Sequence, residues 1–149
     1  MANSTQYTKA LAGSPKLDTN ELTGKIRVAY ADFTFDGASA GTVNMFKLPN
    51  GARLISGRVF GAGIGTNVTL SVGFAAHTSL SGVVVNANTA AYKTLAAANG
   101  VVNADILATV ALGEDSIVDT NSDGLVVTAT TAAATATGKI SVKILYAFD

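Results

Sequence analysis

Cysteine and tryptophan are absent from the 149 residues, proline occurs twice and histidine once. Without thiols the chain forms no disulfide framework, no cysteine-type zinc site and no thiolate nucleophile. Charge is scarce as well. Only 13% of residues are charged, against a usual ~25%, and ten Lys and Arg balance ten Asp and Glu to a formal net charge of zero. A groove for nucleic acid needs a basic excess, which is missing, and there is no acidic tail or cationic membrane face. The uninterrupted apolar runs are a few residues long, far below the ~20 that a membrane-spanning helix requires. The first stretch, MANSTQYTKALAGSPKLDTNELTG, lacks the apolar core of a secretory signal. Neither nucleic acid nor membrane is an expected partner.

What the chain does have is a series of short segments whose side chains alternate with a period of two, and the last is the clearest. In residues 138–148, GKISVKILYAF, Ile140, Val142, Ile144, Tyr146 and Phe148 point one way. Lys139, Ser141, Lys143, Leu145 and Ala147 point the other. That pattern is a β-strand with one face in a core and one mostly outward. Burying the first set contributes at most ~7–15 kcal/mol, at roughly 1.5–3 kcal/mol per large apolar side chain. The net stability of a whole domain is of similar size, roughly 5–15 kcal/mol, so this strand is expected to close the fold.

Upstream, strands are predicted over residues 25–35, 42–48, 52–60, 67–74, 105–112, 116–118 and 125–131, with a short apolar piece at 83–85. Asp36-Gly37, Pro49-Asn50-Gly51, 61–65 and 119–124 punctuate them as turns. Residues 89–99 are rich in alanine, with Asn88 or Thr89 available as N-cap and Gly100 as C-cap, and predict one short helix. Many short strands separated by turns imply an all-β fold, an antiparallel β-sandwich with a jelly roll as its favoured version. An immunoglobulin-like sandwich is the alternative, without that fold's Cys and Trp core marks. Two regions follow: an extended N-terminal arm, 1–24, and a β-sandwich domain, 25–149. The arm is polar and has no periodicity. Tyr7, Leu11 and Leu17 are its apolar anchors, expected to make subunit or capsid contacts on a neighbouring copy, the alternative being an arm folded back on its own domain.

Candidate reactive sites are few. Asp119, Asn121 and Asp123, followed by Gly124, match the first half of a calcium loop, in which alternate oxygen ligands converge on a hard cation. The twelfth position, which should be a bidentate Glu, is Thr130, and Asp and Asn before Gly also suit a tight turn between strands. The glycine-rich run 61–65 resembles a phosphate loop, but a strand rather than a helix follows it. His77 lies near Thr78, Ser79 and Ser81 without a nucleophile-elbow sequence, and a histidine satisfied by a backbone group is the simpler reading. Asp32 with Asp36, and Glu114 with Asp115, read as solvated acids rather than paired catalytic carboxylates. No catalytic residue, resident metal or cofactor is assigned.

Three stretches carry a resemblance: Arg27-Val-Ala-Tyr-Ala-Asp-Phe-Thr-Phe-Asp-Gly37, Asn44-Met-Phe-Lys-Leu-Pro-Asn-Gly-Ala-Arg53 and Val72-Gly-Phe-Ala-Ala-His-Thr78. With Tyr146 in the closing strand and the preceding arm, the chain resembles virion structural proteins of tailed bacteriophages, of the type that decorates or cements the head. The resemblance implies a non-enzymatic β-rich subunit on the capsid exterior, a homotrimer partnered by itself and the major capsid protein. Zero net charge and a Thr/Ser/Asn/Ala surface suit a subunit covered by neighbours, or a polar uncharged β surface. A tail, fibre-base or adaptor subunit and a glycan- or receptor-binding sandwich are the alternatives.

Overall fold

The alternation of apolar and polar residues is realised as ten strands in a computed structural model that describes residues 25–37, 41–108, 117–121 and 123–148. They are β1 (Ile26–Asp36), β2 (Thr42–Leu48), β3 (Arg53–Gly61), β4 (Thr69–Phe74), β5 (His77–Thr78), β6 (Val84–Val85), β7 (Asn88–Leu95), β8 (Val102–Asp105), β9 (Leu125–Ala132) and β10 (Thr137–Ala147). One four-stranded sheet has the order β1-β10-β3-β8, a second β2-β9-β4-β7, and β5-β6 form a small hairpin. Every pairing is antiparallel.

The pairing follows one rule: the first strand pairs with the last, β2 with β9, β3 with β8 and β4 with β7. The chain is thus one long hairpin folded over on itself, with β5-β6 at its tip. Successive rungs fall in alternate sheets, and β10-β3 and β9-β4 pairings knit the rungs together.

The inner faces share one buried cluster. From the first sheet come Leu54, Val59, Ile140, Val142 and Ile144; from the second, Leu48, Leu70, Val72, Tyr92, Leu125, Val127 and Ala129. The closing strand is placed as its periodicity predicts, with Tyr146 and Phe148 partly buried against the same cluster.

Three expectations are corrected. Among the described residues there is no helix, and the predicted helix at 89–99 is instead occupied largely by β7. An isolated helix of that length is marginal even when rich in alanine, whereas β4 offers unpaired backbone groups that must find partners. Tyr92 reaches the core from the strand just as it would have from a helix. Gly73 makes the pairing possible, because a Cβ there would stand 2.0 Å from the Asn88 carbonyl oxygen. The second correction concerns 105–112. The strand lies earlier, at β8, and stops where Asp105 Oδ1 accepts the Leu107 N–H at 3.0 Å. That turn drops Ile106 and Leu107 into the core beneath Gly57; residues 109–112 lie outside the described ones. The third is 116–118: residue 116 lies outside the described ones, and Ile117 forms an isolated bridge to Arg53 rather than part of a strand.

Candidate interaction surfaces

The tip of the folded hairpin is tied by several backbone and side-chain hydrogen bonds. Ser79 donates its N–H to the Val83 carbonyl at 2.8 Å and accepts the Val83 N–H on its hydroxyl at 3.0 Å. Gly82 N–H donates to the Ser79 carbonyl at 3.0 Å. The segment 117–121 staples this tip to the body. Asp119 Oδ1 accepts the Leu80 N–H at 2.9 Å, and Asn121 N–H donates to the Thr78 carbonyl at 2.8 Å. Yet the tip presents Leu80, Val83 and Val84 to solvent at 71%, 60% and 71% exposure.

The calcium-loop residues therefore divide their work. Asp119 faces the hairpin. Asn121 Oδ1 accepts the Asp123 N–H at 3.1 Å, and the Asn121 carbonyl accepts the Gly124 N–H at 3.2 Å, closing a turn with Gly124 at φ +79°. His77 donates Nδ1–H to the Ala75 carbonyl at 3.3 Å and meets the Phe74 ring edge-on, the backbone-satisfied placement expected of it. Tyr92 lines the same end of the molecule, and burial pushes its phenol up to about 12. The arm residues Tyr7, Leu11 and Leu17, and the pair Glu114 and Asp115, lie outside the described residues.

The two outward sheet faces differ in kind. Across the second sheet, register aligns Thr42, Thr130, Ser71 and Thr94 in one row. Thr42 and Thr130 hydroxyls are 2.9 Å apart, Ser71 and Thr94 hydroxyls 3.2 Å. Across the first sheet the corresponding row reads Tyr30, Lys143, Arg58, Asp105. Around it Ile26, Val28 and Tyr30 are 60%, 57% and 52% exposed, Phe60 flanks the row, and Val101 is 84% exposed.

Electrostatics sharpen the contrast. Lys143 and Arg58 stand directly opposite one another, an arrangement of like charges that disfavours the sheet. Among the described residues neither has an ion-pair partner within 4 Å; the Asp105 carboxylate is engaged with the Leu107 amide. At the other end of the face, Lys139 pairs with Asp32. Their hydrogen bond and mutual attraction hold the Asp32 carboxyl below its usual range and raise the Lys139 ammonium. An open trough of about 460 Å³ runs between Arg58, Lys143, Phe60, Val101, Val102 and Asn103. Its lining joins apolar side chains at one end to the Arg58 and Lys143 cations at the other, with Asp105 opposite Arg58 in the same row.

No protein-family model and no curated protein matches the sequence. Solved structures do. A chain of the capsid asymmetric unit of cyanophage Pam1 aligns over 85% of this chain and 86% of its own, at 19% identity and a TM-score of 0.57. A chain of the acidic stable capsid structure of Helicobacter pylori bacteriophage KHP30 aligns over 85% and 90%, at 21% identity and 0.51. The likeness is one of fold. This chain folds as chains of two phage capsids do.

Sequence reasoning missed the trough. Lys139 and Lys143 were legible as the outward side of the closing strand, but nothing local tells which strands flank it. Tyr30, Arg58 and Phe60 meet Lys143 only through the order β1-β10-β3.

Proposed function

We propose that this chain is a non-enzymatic structural subunit of a bacteriophage virion, a head decoration or cement protein on the capsid exterior. Its partners are further copies of itself, arranged as trimers, and the major capsid protein. The observation that carries the reading is the shared fold, which spans 85% of this chain in both capsid structures. The strand order supports a jelly-roll sandwich. With the β5-β6 hairpin set aside and the eight remaining strands counted consecutively, the sheets read 1-8-3-6 and 2-7-4-5, the double-sheet arrangement shared by many viral capsid domains. Exposed apolar side chains on the first sheet and on the hairpin tip favour a subunit whose surfaces are covered in an assembly.

The physical task is mass action: a protein that binds the assembled shell and not its dispersed subunits stabilises the shell. In this reading Tyr7, Leu11 and Leu17 of the arm make the inter-subunit or capsid contacts. Deleting residues 2–22 is expected to leave a domain that unfolds cooperatively but no longer sediments with heads. Full occupancy by the truncated protein overturns the role of the arm. Copy number per particle tests the placement: hundreds of copies support head decoration, and a dozen or fewer move the subunit to the tail or portal.

A further inference from the structure

We propose that the trough on the outer face of the β1-β10-β3-β8 sheet receives residues 17–22 of a second copy's arm, with Glu21 between Arg58 and Lys143 and Leu17 against Val101. The inference rests on the reading that copies of this chain stand side by side, and it names the surface that their contact uses.

The first argument is charge. Arg58 and Lys143 are adjacent in register and unpaired among the described residues, so an anion placed between them relieves their repulsion and gains from both. The segment Leu17-Asp18-Thr19-Asn20-Glu21-Leu22 carries two acids and no base. The second argument is spacing. In an extended segment alternate residues face the same way, so Leu17 and Glu21 face the sheet together, about 13 Å apart at ~3.3 Å per residue. The trough offers the same pattern. Val102 pairs with Gly61 and Asp105 with Arg58, so Val101 lies four residues along its strand from the cation row, again about 13 Å.

The third argument decides between the chain's own arm and a neighbour's. The described chain begins at Lys25, beside Ile26, which pairs with Ala147 at one end of the face. Glu21 is four residues before Lys25, a reach of at most about 14 Å, whereas the Tyr30–Lys143–Arg58 row lies five residues along β1 from Lys25, about 16 Å, with β10 and β3 further across the sheet. An arm arriving from a second copy carries no such restriction.

The absence of native cysteine makes the test clean. Full-length chains carrying Leu17→Cys alone and Val101→Cys alone are mixed and oxidised, and the covalent products are resolved by mass. The expected result is a disulfide dimer joining one chain of each kind, in excess over either homodimer. In parallel, Arg58→Glu with Lys143→Glu is expected to weaken self-association about tenfold, and adding Glu21→Lys to restore it. An intramolecular disulfide in the Leu17→Cys/Val101→Cys double variant, with no mixed dimer, overturns the second-copy assignment. No disulfide in either arrangement overturns the trough as the site. Head binding is measured separately: a mixed dimer with no attachment to heads keeps this inference and defeats the virion reading, and attachment without any cross-link does the reverse.

Discussion

At the scale of single residues, two positions carry consequences out of proportion to their size. Gly73 is needed because the backbone of β7 lies where a side chain would be, with the Asn88 oxygen at 2.0 Å and the Thr89 carbonyl carbon at 2.5 Å from a Cβ. Neither neighbour is the yielding end of a side chain. Gly73→Ala is expected to cost about 2–3 kcal/mol in denaturant unfolding, where a surface change would cost almost nothing. Tyr92 is the second. A phenol in water ionises near 10, while burial pushes this one up to about 12. Its contribution to stability is complete below pH ~10 and is lost as the pH rises through ~12, amounting to about 3 kcal/mol. Tyr92→Phe is therefore expected to flatten stability between pH 9 and 12, roughly, as read from denaturation midpoints. The exposed Lys139–Asp32 pair, which weakens over part of that alkaline range, adds little because solvent screens it.

At the scale of elements, the tip hairpin and the closing strand behave oppositely. The hairpin is held by a few hydrogen bonds to 117–121, so Asp119→Ala is expected to speed amide exchange across residues 79–84, roughly tenfold, with the global melting temperature nearly unchanged. In β10, Ile144 is fully buried, and Ile144→Ala is expected to cost about 2–5 kcal/mol globally. This difference tracks what was legible beforehand. The closing strand announces itself because five apolar residues repeat at a spacing that only a strand satisfies. Residues 89–99 do not, because alanine fits both a helix and a half-buried strand, and the deciding partner, β4, lies well upstream in the chain. Asp105 shows the same limit on a smaller scale. Its turn with Leu107 ends β8, yet the apolar residues that follow read as a continuing strand.

At the scale of the whole molecule, the all-β class and antiparallel character follow from many short alternating segments, and both are present. The candidate surfaces were far less legible. Sequence locates the turn residues Asp119, Asn121 and Asp123, but not the hairpin that Asp119 anchors, because the Leu80 contact spans 39 positions. It shows Lys143 outward without showing Arg58 opposite. Charge balance was readable only as a total, and a total of zero conceals a first sheet whose outer face sets Lys143 directly opposite Arg58 while the second bears a row of hydroxyl groups.

The pairing of β1 with β10 has one further consequence. Ile26 and Ala147 are direct neighbours across the ladder, so the domain's entry and exit points occupy one corner. A two- or three-residue turn suffices to join Phe148 to Ile26, and the loop between Ser81 and Gly82 at the opposite end of the folded hairpin offers a place to cut. Such a circular permutant is expected to keep its fold while relocating its free ends to the tip. Any cargo fused after Phe148, conversely, emerges beside Ile26, at the corner where β1 begins.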